Sequence, residues 1–275
     1  IKNRLTSSDV SRFLSNRDSL GQLQLQPDAV SQIFSTYAPV FTIEDSGEFD
    51  RVGMVGFTNE QQVQVDIAQP TVYTHLAYTR FEGKTLPQLV YIAWFPDRPK
   101  NGVSDLLGGR LDGIIWRVTL DDDGMPLLFD SIHPCGCYHM FFPTERLRAI
   151  AAPTKYTEWA FSPKRLTQRP EAVRLNITVQ TKTHYLANVA VDMEGAIDDV
   201  QSYSLKPYNE LRSIKTAQGF VNLFGLNGIV KGSERGERFL LWPSGIRSPG
   251  AMRQWGRHAT AFVGRRHFDD VDLLD

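Results

Sequence analysis

The chain's 275 residues carry 41% hydrophobic and 22% charged side chains, an average globular composition that excludes collagen-like, low-complexity and wholly disordered chains. Its 30 Lys and Arg stand against 31 Asp and Glu, a formal charge of −1, so the chain as a whole has no electrostatic pull toward nucleic acid or an anionic membrane, and no nucleic-acid partner is expected. Its longest apolar run, Leu86 to Pro96, is interrupted by Gln88 and falls well short of the roughly 20 residues a membrane-spanning helix needs, so no membrane span is expected.

The chain begins at Ile1 with no initiator Met and no secretory-type leader pattern. A removed leader, with an extracytoplasmic location, and a start inside a longer polypeptide both fit, so the compartment is undetermined. Residues 1–36 read as two polar helices: Ser7 or Ser8 caps a segment through Leu20, and Pro27 suits the first turn of another running from Asp28 to Tyr37. Their apolar faces are thin, which points to packing on the rest of the chain or on a protein partner.

From Val52 the period becomes two. Gln62 to Ile67 alternates as a half-buried strand, and Val72 to Phe81 with Leu86 to Phe95 forms a hairpin across Glu82-Gly83-Lys84-Thr85. Ile114 to Leu120 and Leu127 to Ile132 form another across Asp121 to Gly124. Val173 to Thr181, Tyr185 to Asp192, Phe239 to Trp242 and Ala259 to Val263 are further strands. Helical signals return at Pro207 to Ile214 and Pro249 to Trp255. With no internal repeat and no long linker, the expected organisation is one domain over residues 1–275, with a helical segment at 1–40 and a β-rich core at 50–265. The fold class is α+β, dominated by β: an antiparallel sheet or sandwich built from hairpins, with helices near the N- and C-terminal ends.

One heptapeptide stands out. His133-Pro134-Cys135-Gly136-Cys137-Tyr138-His139 holds both cysteines of the chain and two of its six histidines. In an extended strand His133, Cys135, Cys137 and His139 share a face, and thiolates with imidazoles are the donors that zinc and other transition metals prefer. A straight strand would put His133 and His139 roughly 20 Å apart, so a single ion requires either neighbouring pairs plus distant ligands, or a loop bent at Pro134 and Gly136. His258 is the favoured distant ligand among the remaining histidines, His75, His184, His258 and His267.

Asp112, set between glycines in Gly108-Gly109-Arg110-Leu111-Asp112-Gly113, and Asp130, three residues before His133, are the candidate catalytic carboxylates. The leading expectation is a zinc- or other transition-metal-binding protein, with a metal-activated water for hydrolysis if it is an enzyme. The alternatives are a binding or assembly subunit clipped by a Cys135–Cys137 disulfide, and a thiol–disulfide redox protein. From Arg238 to Phe268 the chain has six arginines and no Asp, Glu or Lys. Arg253, Arg257, Arg265 and Arg266 are therefore candidate anion-binding residues, and the 238–268 stretch, like 1–36, is a candidate partner surface.

Overall fold

The computed structural model describes residues 4–43, 47–148, 160–166, 174–191 and 202–258. Two helices open it, α1 (Ser7–Leu14) and α2 (Pro27–Tyr37). Thr6 caps α1 with a reciprocal Thr6–Asp9 capping box. The helix stops at Leu14 rather than Leu20, because the chain turns through Gly21 (φ 77°) and bridges Arg17 to Leu23. α2 starts on Pro27 as expected.

The strands are β1 (Val40–Ile43), β2 (Met54–Phe57), β3 (Val63–Asp66), β4 (Thr71–Phe81), β5 (Lys84–Arg98), β6 (Gly109–Leu120), β7 (Pro126–Ile132), β8 (Met140–Pro143), β9 (Leu175–Val179), β10 (Leu186–Val191), β11 (Ser204–Pro207), β12 (Ile214–Thr216) and β13 (Gly219–Val221). β4 to β8 follow one another antiparallel in a six-stranded sheet of order β11-β4-β5-β6-β7-β8, with β11 parallel on the β4 edge. Glu82 and Gly83, both at positive φ, make the β4–β5 turn, the backbone that a two-residue hairpin needs. The fold is β-dominated with mixed pairing, since β1 also runs parallel to β9 in the three-stranded sheet β1-β9-β10.

The large sheet is covered on both faces. On one, Val10 and Leu14 of α1, Ile33 and Phe34 of α2, and Ile177 and Val189 of the three-stranded sheet pack on Tyr91, Phe95, Ile114, Trp116 and Val118. On the other, Val55, Val63, Tyr208, Leu211, Phe224 and Met252 pack on Val90, Ile92, Trp94 and Ile115. This explains why β5 is buried without a break from Leu86 to Phe95 where a one-sided sheet would alternate.

Two local expectations fail. Phe239 to Trp242 lies in a short helix, α3 (Arg238–Leu241), continued by a 3-10 turn at Trp242–Ser244. No strand pairs with it, and the Glu237 carbonyl accepts from the N–H groups of Leu240 and Leu241. Pro249 to Trp255 is not helical: Ser248 and Gly250 adopt positive φ, and Arg253 bridges to Ile229. The C-terminal helix of the expected fold is thus reduced to α3, while Pro207 to Ile214 contributes a 3-10 helix at Tyr208–Arg212. Ala259 to Val263 lies outside the described residues. No helix among the described residues is long and apolar enough to cross a membrane.

Candidate functional site

β6 carries Asp112 in register with Phe95 of β5. It alternates with Ile114 and Trp116, which belong to the core under the helices and the three-stranded sheet. Its carboxyl group is 1% exposed. The ring of His184 reaches it from the β9–β10 turn, Nδ1 to Oδ2 at 2.9 Å, and is held flat against Phe95, with centroids 3.9 Å apart and planes 4° apart. The other nitrogen of His184 lies 3.3 Å from Oδ1 of Asp50, at the end of a 3-10 helix, Glu48–Asp50. One fully buried imidazole is therefore hydrogen-bonded to Asp112 and lies beside a second buried carboxylate, with its Nε2 making no hydrogen bond. Asp50 is itself anchored by the hydroxyl of Thr181 at 2.6 Å and the backbone N–H of Lys182 at 2.8 Å.

The second oxygen of Asp112 faces His133, whose Nδ1 is 3.7 Å away, and the guanidinium of Arg235 at 3.9 Å. Arg235 lies along β6 and donates to the carbonyls of Arg110 (2.8 Å) and Leu111 (2.5 Å). It can do so because residue 109 is glycine: a Cβ there would collide with the guanidinium. Gly113 plays the same part for the following loop, since a Cβ would come within 3.0 Å of the Pro134 ring and 2.9 Å of the Ala93 carbonyl oxygen. Burial pushes Asp112 up, but its contacts with His133 and His184 outweigh this and hold the carboxyl well below the usual carboxylate range.

The His133–His139 segment is a loop between β7 and β8, closed by Gly136 N–H to the His133 carbonyl (2.8 Å) and His133 N–H to the Cys137 carbonyl (3.0 Å). Gly136 and Tyr138 turn it with φ of 96° and 60°. One of the four donors, His139, is consequently parted from the other three. His133, Cys135 and Cys137 line a pocket with Asp112, Arg98, Arg235 and Glu237, with free space of about 30 Å³. That is about the share of one water in the liquid. His139 turns away and places Nε2 3.0 Å from Asp130, while His258 hydrogen-bonds the Pro134 carbonyl at 3.0 Å.

The metal centre expected from the row of donors is thereby overturned: among the described residues no three His, Cys, Asp or Glu side chains converge to hold a metal ion. The turn at Gly136 and Tyr138 sends His139 to Asp130, away from the other three donors. No disulfide clips the loop either, for both cysteines are free. The Cys135 thiol is pushed up by its hydrogen bond to Cys137 and by burial, whereas that same bond, outweighing burial and aided by the charge of Arg253, lowers Cys137.

His133 is 3% exposed, and its Nε2 is buried with no hydrogen-bond partner. Tyr138 and Tyr185, linked through their hydroxyls, cover its ring edge-on at 5.3 and 5.6 Å, and Arg98 lies over Tyr185 at 4.9 Å while donating to its hydroxyl. Among the described residues, Tyr138 in the pocket lining, Leu111 next to Asp112 and His184 bonded to Asp112 all adopt positive φ. Such backbone is held only where the surroundings over-determine it, and it concentrates at functional sites.

Asp130 belongs elsewhere. Arg117, directly opposite it on β6, is bonded to it at 2.8 Å. Arg117 alternates with Ile115, so this pair lies on the sheet face opposite to Asp112. Of the candidate anion-binding arginines, Arg253 donates to the carbonyls of Arg247 and Ser248, and Arg257 to that of Leu226. Arg265 and Arg266 lie outside the described residues. His184, Asp50, Arg235 and Arg98 were missed, and no local pattern marks them. Only His184 was weighed, as one lone histidine among four.

No protein-family model matches the sequence, and no curated protein matches it. Among solved structures, one described as a toxin fold for microbial attack and plant defense is similar at 12% identity and a TM-score of 0.37, over 73% of this chain and 88% of that one. NLPPya in complex with mannosamine is similar at 13% identity and a TM-score of 0.37, over 72% and 86%. A superposition this loose transfers neither fold nor chemistry.

Proposed function

We propose that the protein is a thiol-dependent acyl hydrolase or transferase, with Cys137 as nucleophile, His133 as general base and Asp112 as the carboxylate that orients the imidazole. The observation that carries this reading is a buried His133 whose Nδ1 faces Asp112 and whose unpartnered Nε2 shares a pocket with a thiol of lowered pKa. This is the nucleophile, base and orienting group expected of activated thiol catalysis.

In the first step His133 Nε2 takes the proton of Cys137, and Sγ attacks the acyl carbonyl. The bond to the leaving group breaks as His133 returns the proton to it, leaving a thioester on Cys137. Water, deprotonated by the same imidazole, then releases the acid and the free thiol; in a transferase another nucleophile takes the place of water. The Cys135 S–H stabilises the thiolate between these steps. Free space of about 30 Å³ admits a carbonyl group and little more, so the bulk of a substrate lies outside the pocket.

The test is iodoacetamide labelling with peptide mapping, followed by p-nitrophenyl acetate turnover. Cys137 should label near neutral pH on the order of tenfold faster than an unperturbed thiol. A stoichiometric burst of p-nitrophenol should vanish in Cys137→Ala. Asp112→Asn should slow acylation by about a hundredfold or more. Preferential labelling of Cys135, or a burst surviving Cys137→Ala, overturns the assignment.

A further inference from the structure

An open groove of about 450 Å³ adjoins the thiol pocket, and Arg98 lines both. One wall is the chain leaving β5, with Lys100 and Asp105; the other is the β9–β10 turn, with Thr181, Lys182 and Thr183. Its lining therefore carries three cations, Arg98, Lys100 and Lys182, and one carboxylate. That carboxylate is turned into its own loop, where Asp105 accepts from the backbone N–H groups of Asn101 (2.8 Å), Leu107 (2.9 Å) and Gly108 (3.2 Å). Among the described residues, no carboxylate lies within 4.0 Å of the side-chain nitrogens of Arg98, Lys100 or Lys182.

The wall is also tied to the chemistry. The Lys182 backbone N–H and the Thr181 hydroxyl anchor Asp50, which meets His184, which in turn holds Asp112. We infer that this groove is the anion subsite of the acyl-transfer centre: it binds a carboxylate or phosphate group of the substrate and thereby lays the acyl carbonyl over Cys137. The assignment rests on the reading of Cys137 as nucleophile, and it narrows the substrate to acyl compounds bearing an anionic group. Another hollow of about 500 Å³, lined by Leu20, Tyr78 and Arg80 among others, has no acid or thiol in its lining and is not assigned.

Calorimetric titration at low ionic strength, with inorganic pyrophosphate in one arm and succinate in the other, reads the groove directly. At least one probe should bind and weaken with added salt, as a screened charge interaction does. The Lys100→Gln/Lys182→Gln double variant should weaken it by about tenfold or more, as expected when two of three cations are lost. Tighter pyrophosphate marks a phosphate site and tighter succinate a carboxylate site, and either supports the subsite. The bound probe should also slow iodoacetamide at Cys137 in the wild type. No binding of either probe, binding indifferent to the double variant, or binding that leaves Cys137 unshielded overturns the inference. If Cys137 proves unreactive throughout, the nucleophile reading falls by itself, and the titration still decides whether the groove takes anions.

Discussion

Asp112 and Asp130 sit on neighbouring strands of one sheet, each 1% exposed and each touching a histidine, yet they are built for different ends. Asp130 has a permanent cation, Arg117, bonded through Nε at 2.8 Å, with His139 filling the other oxygen. Asp112 instead has two imidazoles and a more distant guanidinium, and it opens onto a pocket holding two thiols. A carboxylate matched to a fixed guanidinium has its charge settled once and for all. One matched to imidazoles is joined to side chains that can both donate and accept a proton, which is what acid–base chemistry needs. Both carboxyl groups are held below their usual range, so burial and depressed acidity alone do not identify a working site. The identity of the partner does.

The largest effect should come from Arg117→Met. Stranding Asp130 as a buried unpaired charge should lower unfolding free energy by about 3–5 kcal/mol in urea titrations, while Cys137 keeps its wild-type labelling rate under conditions where the variant remains folded. A parallel loss of reactivity would merge the two clusters into one and break the contrast.

Asp112→Asn should do the reverse. Destabilisation of about 1–3 kcal/mol follows from leaving buried His184 without its carboxylate acceptor, and the main loss is thiol reactivity. A variant that unfolds as readily as Arg117→Met yet labels at full speed would make Asp112 structural.

Protonation sharpens the difference further. Burial lowers His258, on the Asp130 face, to about 4, below its usual value of about 6.5. Because the unfolded chain takes up this proton first, the contribution is complete above about pH 6.5 and is lost as pH falls toward 4, amounting to about 2 kcal/mol for a partly exposed ring. His258→Gln should remove that part of the pH dependence of stability without altering Cys137. An unchanged slope between pH 6.5 and 4 would show that His258 is not the group responsible. The smallest change is expected from Gly109→Ala, where the Arg235 guanidinium must leave the Arg110 and Leu111 carbonyls. Stability should drop by roughly 1 kcal/mol, with a few-fold slower labelling that Arg235→Lys reproduces.

Asp112 was visible in the sequence because its signal is local: glycines on both sides allow the approaches that the structure then uses at 109 and 113. His184 stands 72 residues away along the chain, and Asp50 lies far off on the other side, so nothing in the neighbourhood of either residue encodes their meeting. The heptapeptide is the intermediate case. Its content of thiols and imidazoles was plain, but the inference of a shared ligand set assumed that alternation along a strand persists through a Gly and a Tyr that in fact take positive φ.

Alternating hydrophobic runs, punctuated by Glu82-Gly83 and by Asp121 to Gly124, determined by themselves that this chain is β-rich and where its central hairpins lie, because side-chain period and turn conformation are properties of a few consecutive residues. Tertiary structure alone decided that both faces of the sheet are covered, that Phe239 to Trp242 is helical, and that His133 and Cys137 meet Asp112 while His139 meets Asp130. Those outcomes depend on which distant segment supplies the partner for each buried polar group, and a buried acid or imidazole accepts whichever partner the completed packing brings within hydrogen-bonding reach.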